Sequence, residues 1–344
     1  MYQSKNMLYL MIILLSLISL FFSNYFLVWM FMEIVTLTMI YIMIKDSGMN
    51  NLSSIVYYIV SMISSLMLFF IMIMKMITLK DGLDFVYNFM MLISLLLKLG
   101  MFPFSSWYVY ISKDMKWMYL FLFSTILKLQ PLYLMYLLSS FFEILMFIIM
   151  MSMLYSMIMV LISCTSIKSL LVYSSISHTS IMMLLMMMST KLFILYFSLY
   201  LIMSFLFFFM MYELEYMCVN EELIFNKDFM SWYNSLFIVF IMILYSSMPP
   251  LMTFIMKWIL IEYMMYNYML YMLFLIILIF VSMSMIWNYM NLFNNMFYYP
   301  FKSIKSYSYK YKFNNFKFNK YIYMMLFLYL MLFLIYIYID ILMF

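Results

Sequence analysis

Residues 117–139 read Trp117-Met-Tyr-Leu-Phe-Leu-Phe-Ser-Thr-Ile-Leu-Lys128-Leu-Gln-Pro131-Leu-Tyr-Leu-Met-Tyr-Leu-Leu-Ser139, an apolar run with one lysine at its centre. A helix needs about 20 predominantly apolar residues to cross a bilayer. This run is long enough, and runs like it recur along the whole chain. Of 344 residues, 70% are hydrophobic and only 9% are charged, with a mean hydropathy of +1.09. A soluble domain carries about 25% charged residues. A chain this apolar could not cover itself with polar surface in water, so lipid is the solvent it requires. The expected fold class is all-α: a polytopic transmembrane helix bundle of about eleven helices, forming a single transmembrane domain over residues 1–344.

Reading the apolar stretches between polar breaks places spans near 7–22, 25–44, 54–76, 86–104, 117–139, 141–163, 169–188, 191–212, 233–265, 268–290 and 321–343. The ninth is too long for one straight span. It holds Pro249-Pro250, which removes two backbone donors and predicts a broken helix. Pro103 predicts a similar interruption at the end of the fourth. Non-helical backbone at membrane depth is tolerated only inside protein or beside a water-filled cavity, so both breaks are candidate functional points. The amino terminus, with Lys5 before the run from Met7 to Phe22, resembles a signal peptide but lacks a small-x-small cleavage site. A retained first helix is the expectation.

The composition carries a second message. There are 51 Met, 37 Phe and 35 Tyr but three Gly, and all 18 basic residues are lysine. Alanine is absent, although small residues are useful where membrane helices pack closely. An AT-rich genome in which ATA encodes methionine accounts for the whole pattern, which points to a mitochondrial origin. Cys164 and Cys218 show no metal-ligand spacing and read as inert thiols. With an odd span count, Lys5, Lys45, Lys113, Lys116, Lys168, Lys227 and the lysines of the loop from Asn291 to Lys320 share one side. Lys75, Lys80 and Lys191 take the other. The positive-inside rule puts the amino terminus in the inner compartment, the matrix, and the carboxy terminus in the intermembrane space. The Lys- and Tyr-rich loop reads as an orienting segment attracted to phospholipid headgroups, with no nucleic-acid role. The stretch Glu213, Glu215, Glu221, Glu222 and Asp228 reads as a solvated loop.

Four charges fall deep within predicted spans, Glu33, Lys98, Lys128 and Lys257, whereas Glu143 and Glu262 lie nearer span ends. A lysine at the bilayer centre costs roughly 2.5–3.5 kcal/mol, so three require roughly 8–10 kcal/mol of compensation from pairing and hydration. Snorkelling to an interface suits Lys75 near a helix end and fits Lys128 poorly. Desolvation disfavours a charged lysine and a neighbouring carboxylate restores it. A row of such groups with Glu33 as counter-charge is what proton hopping across a membrane needs. His178, in Tyr173-Ser-Ser-Ile-Ser-His178-Thr-Ser180, is the only histidine. It admits two readings, a proton relay or a structural polar residue in a hydrogen-bonded or water-lined helix segment. No metal or cofactor site is expected: two cysteines, three glycines and one histidine cannot hold flavin, an iron–sulfur cluster or a nucleotide.

Taken together, Trp29-x-x-x-Glu33, Leu-Leu-Lys98-Leu-Gly100-x-x-Pro103-Phe104-x-x-Trp107, Lys128-x-x-Pro131, Tyr173-Ser-Ser-Ile-Ser-His178 and Met248-Pro-Pro-Leu-x-x-Phe-x-x-Lys257-Trp258 resemble the chain 2 family of mitochondrial NADH:ubiquinone oxidoreductase. These are the antiporter-like membrane subunits of respiratory complex I, here in the shortened animal form that keeps eleven helices. The resemblance covers residues 25 to 260. It implies that Glu33 and Lys98 form the charged pair of a proton half-channel, that Lys128 is the central relay and that Lys257 is the exit-side group. It further implies a proton-translocating subunit of an NADH:ubiquinone reductase that performs no redox chemistry itself. NADH, FMN, the iron–sulfur clusters and ubiquinone would be bound by other subunits, with neighbouring antiporter-like chains as partners. The family pattern has a histidine after Pro-Phe where this chain has Ser105, and the segment Lys113-Asp-Met-Lys116 departs from the usual one. A free-standing cation–proton antiporter and a scaffold whose lysines only bind partner helices are the competing readings.

Overall fold

The computed structural model describes residues 2–45, 51–77, 84–138, 142–162, 166–217, 254, 257–262 and 272–298. Among these residues there are eleven helices and no strand: α1 (Tyr2–Ser19), α2 (Tyr25–Lys45), α3 (Asn51–Ile77), α4 (Asp84–Leu99), α5 (Ser106–Asp114), α6 (Trp117–Ser124), α7 (Ile126–Leu137), α8 (Phe142–Ile162), α9 (Ile167–Met188), α10 (Thr190–Met217) and α11 (Met272–Tyr298). Residues 257–262 form a further helical stretch. Seven segments are long and apolar enough to cross a membrane: Tyr25–Lys45, Leu52–Ile77, Trp117–Leu137, Ile144–Ile162, Ile167–Met188, Thr190–Tyr212 and Phe274–Asn291. The apolar parts of α1 and α4 are shorter. Most of the predicted span 233–265, with Pro249-Pro250, and all of span 321–343 lie outside the described residues, as do Cys164 and Cys218.

Helix α3 shows what solvent this fold is built for. Its buried face holds Ser53, Ser54, Tyr57, Ser61, Ser64, Ser65 and Leu68, while Leu52, Ile55, Ile59, Ile63, Leu66, Met67 and Phe70 point outward. A soluble helix would turn its apolar stripe inward. Here small hydroxyl residues let helices approach closely, and the large apolar side chains point away from the bundle. Ser61, Ser64 and Ser65 donate to the carbonyls of Tyr58, Ser61 and Met62 in their own helix, so these three hydroxyls are satisfied where they are buried. The protein is an integral membrane protein.

Several predicted boundaries move. The fourth span stops at Leu99, not at residue 104, and the cause is Gly100 rather than Pro103. Gly100 takes φ +65°, its N–H donates to Leu97 O and the Met101 N–H to Leu96 O. That pair of bonds is a Schellman cap, which needs a left-handed residue just past the helix. Residues 106–114, expected as a loop, form α5. The span 117–139 is interrupted at Thr125, which sits at φ −120° and ψ −74° between α6 and α7. Helix α10 continues to Met217, so the backbone at Glu213 and Glu215 is helical where a loop was expected. Helix α11 likewise runs through Asn291 to Tyr298, into the predicted basic loop.

The chain divides into two compact units, Met1–Leu195 with Met269–Ser284, and Tyr196–Tyr268 with Met285–Phe344. In the first, α2 buries Val28, Met32, Val35, Met39 and Met43 along one face, the i, i+4, i+7 spacing of a helix stripe. Helix α9 is buried nearly all round, from Lys168 to Met186, and α5, α7 and α8 pack on it. In the second unit, α10 contributes Phe207, Phe208 and Met211 to the core, with the two phenylalanine rings edge to face at 5.9 Å.

Candidate functional site: a cavity between two lysines

The site is assembled from two interrupted helices. Helix α4 ends one residue after Lys98, so Lys98 belongs to the last turn, where the helix dipole favours a cation. Across from it, α2 presents Glu33. Lys98 Nζ donates to Glu33 Oε1 at 2.7 Å, and the two side chains are 6% and 17% exposed. The charged pair implied by the family resemblance is thus present as a mostly buried, charge-assisted hydrogen bond.

Lys128 lies three residues into α7, between two distortions. On one side both the Thr125 N–H and its hydroxyl donate to Phe121 O, at 3.1 and 2.7 Å, and hydroxyl bonding of this kind bends helices. On the other, Pro131 lies inside α7 and withholds the donor that Leu127 O would otherwise receive. Lys128 is 4% exposed. Its Nζ donates to Ser175 Oγ at 3.2 Å and to Ser175 O at 3.4 Å, and it stands 4.4 Å above the centre of the Tyr108 ring. Among the described residues no carboxylate reaches it.

Both lysines line one cavity of about 20 Å³, together with Tyr57, Trp107, Tyr108 and Gln130. A cavity needs about 10–15 Å³ to hold one water and at least two polar partners to keep it. The walls supply two ammonium groups and two phenols. The indole N–H of Trp107 is buried with no acceptor among the described residues. The space is of the size that one water occupies, and it borders two titratable groups.

His178 is buried at 5% exposure on α9, one turn beyond Ser175. The hydroxyls around it donate within the helix. Ser174, Ser177, Thr179 and Ser180 donate to Leu171, Ser174, Ile176 and Ser177 carbonyls. Lys257 is buried at 5% exposure in the helical stretch 257–262, within the second unit. Beside it, the Trp258 indole N–H donates to Glu262 Oε1 at 2.6 Å. The structure therefore brings Glu33, Lys98 and Lys128 to one place.

Three participants escaped the sequence reading. Tyr108 and Ser175 carry no local signature, since one is a tyrosine among many and the other a serine in a serine-rich helix. Lys168, expected in a loop, lies in the first turn of α9 and is buried at 9% exposure. Its ammonium lies 5.2 Å from the Trp117 ring centre and 3.5 Å from Lys113 O. Its place just after a polar break made it look like a solvated residue. Lys75 is exposed and bonds Asn88 Oδ1 at 3.0 Å, as its position near a helix end suggested.

Known proteins resemble this chain in sequence and in fold. Residues 22–286 match the family described as NADH:quinone oxidoreductase/Mrp antiporter, transmembrane. The NADH-ubiquinone oxidoreductase chain 2 of Apis mellifera ligustica is 31% identical over 80% of this chain and 80% of its own. That of Anopheles gambiae is 29% identical over 75% and 76%. Among solved structures, a chain of the archaeal membrane-bound sulfane sulfur reductase has a TM-score of 0.71 at 16% identity, covering 89% of this chain and 67% of that one. A chain of Thermus thermophilus respiratory complex I with bound aureothin scores 0.65 at 16% identity, covering 80% and 66%. A chain of the Mrp complex from Dietzia sp. DQ12-45-1b also scores 0.65, at 15% identity. This chain covers 79% of itself and 56% of the Mrp chain in that match. The structural likenesses speak to the fold, and the sequence matches to descent: the chain belongs to the NADH:quinone oxidoreductase/Mrp antiporter family of transmembrane subunits, on its NADH-ubiquinone oxidoreductase chain 2 branch.

Proposed function

We propose that this chain is a core membrane subunit of mitochondrial NADH:ubiquinone oxidoreductase that moves protons across the inner membrane through a buried Glu/Lys relay. Electron transfer from NADH to ubiquinone takes place in other subunits, which hold the FMN and iron–sulfur clusters and supply the energy. The observation that carries this reading is the cavity shared by Lys98 and Lys128, with Glu33 paired to the first at 2.7 Å. A change of charge near Glu33 loosens or tightens its hold on Lys98. At close range inside a low-dielectric bundle, that change is felt at Lys128 far more strongly than it would be in water. Lys128 then passes a proton on toward Lys257, and His178 on α9 is the candidate intermediate station. Neighbouring antiporter-like chains and phospholipids are the expected partners. The amino terminus faces the matrix, on the strength of the lysine distribution.

Lys128→Met tests the reading in the assembled enzyme, reconstituted in vesicles with NADH and ubiquinone. Near-normal assembly with coupled proton pumping abolished is the expected result. Unchanged pumping would sink the relay. The free-standing antiporter separates cleanly from this subunit role, because an antiporter exchanges cations for protons when purified alone, whereas the subunit co-purifies with a large assembly.

A further inference from the structure

Tyr108 occupies its place for reasons that can be traced atom by atom. It lies on α5 directly against the Gly100 turn. A Cβ added at Gly100 would sit 2.7 Å from Tyr108 Cβ and 2.9 Å from its Cγ, so the missing side chain at 100 is what lets the tyrosine in. The ring stacks on Phe123 with centroids 4.6 Å apart and planes 15° apart, and meets the Trp107 ring edge to face. Its opposite contact is Lys128 Nζ, 4.4 Å from the ring centre. Its hydroxyl lies 3.1 Å from Ser175 Oγ.

The hydrogen-bond inventory fixes the direction of that last contact. A serine hydroxyl has one proton to donate and two lone pairs. Ser175 donates to Val172 O at 2.7 Å. Its oxygen therefore accepts, from the Tyr108 hydroxyl and from Lys128 Nζ at 3.2 Å. Ring face, phenol and serine form one unit around the ammonium, and that unit stands where a carboxylate stands for Lys98.

We propose that Tyr108 is the positioning residue for the central lysine: with Ser175 it holds the Lys128 ammonium at the wall of the cavity shared with Lys98. The inference rests on Lys128 being a relay. Its mechanism needs no net chemistry at Tyr108, because the phenol keeps its proton throughout. When Lys128 gives up its proton it loses both the ring attraction and the need to donate to Ser175, and the amine is free to swing within the cavity. When it is reprotonated, the same two groups draw it back to one position.

The test uses the assembled enzyme in vesicles and reads protons moved per NADH oxidised, with Lys128→Met as reference. Tyr108→Leu removes ring and hydroxyl, and should lower the ratio about thirtyfold, the scale of a desolvated cation–π contact. Tyr108→Phe keeps the ring and should recover most of that loss, leaving a deficit of about threefold, the scale of one hydrogen bond. Ser175→Ala removes that bond and the one from Lys128 as well, so its deficit should be the larger of the two, and the double variant Tyr108→Phe/Ser175→Ala should be no worse than Ser175→Ala alone, since the phenol's bond is then already gone. A role in packing alone would not give that non-additivity. If Tyr108→Leu fails to assemble, the Phe and Ala variants decide, and wild-type ratios in both overturn the proposal. If Lys128→Met is inactive while Tyr108→Leu pumps normally, the positioning role falls and the relay stands. If Lys128→Met itself pumps normally, the relay reading fails and this inference with it.

Discussion

Lys98 closes a helix and meets a carboxylate, whereas Lys128 sits inside a distorted helix and meets an aromatic face and a serine. Both reach the same small cavity. The first environment answers a charge with a charge, at 2.7 Å. Removing one partner there leaves an uncompensated ion in a poor solvent. The second answers a charge with dipoles and a quadrupole, which hold the ammonium without neutralising it. A pair of the first kind is suited to storing and switching charge. A site of the second kind is suited to taking up a proton and letting it go. On the relay reading proposed above, the difference between the two lysines is a division of labour.

The sharpest way to break this comparison is at Glu33. Glu33→Ala leaves Lys98 buried and unpaired, which should destabilise by about 3–5 kcal/mol, whereas the double change Glu33→Gln/Lys98→Gln should return most of that. Yield and thermal stability of the assembled enzyme measure both. Equal losses in the single and double variants would mean that the pair is not a coupled unit. A smaller effect is expected at the turn that serves both sites. Gly100→Ala forces an alanine into φ +65° and pushes its Cβ against Tyr108, at about 2–3 kcal/mol for the left-handed strain and the overpacking together. It should also depress proton pumping more than its stability loss explains, because Tyr108 is displaced from Lys128. The smallest effect belongs to Lys75, exposed and bonded to Asn88. Lys75→Gln should change stability by no more than about 0.5 kcal/mol, the ordinary range for surface positions, and leave pumping untouched. A large pumping loss there would show that lysine content in general, rather than the two buried environments, governs the activity.

Much was legible before any coordinates. Apolar runs of bilayer length required a helical membrane protein, because no other solvent accommodates 70% hydrophobic residues. Lysines inside such runs marked the relay candidates, because a buried ion is too costly to be incidental. Glu33 was identified as the partner of Lys98 from the family resemblance, and the geometry agrees. What hydropathy could not register was interruption without proline. The break at Thr125 depends on where a hydroxyl finds its carbonyl. The stop at Gly100 depends on a single φ angle, and a hydropathy window averages over both. Lys168 was misread for a related reason: its burial comes from Trp117, which is remote in sequence.

The sequence by itself determined the solvent, the class of fold and the three intramembrane lysines, all of which follow from transfer energies that are properties of composition and local pattern. Only the tertiary structure decided what surrounds each charge. Tyr108 and Ser175 meet at Lys128 across 67 residues of chain, and they do so because a glycine elsewhere leaves room for a ring. Contacts of that kind depend on how helices lie against one another, and they are what turned similar buried lysines into different instruments.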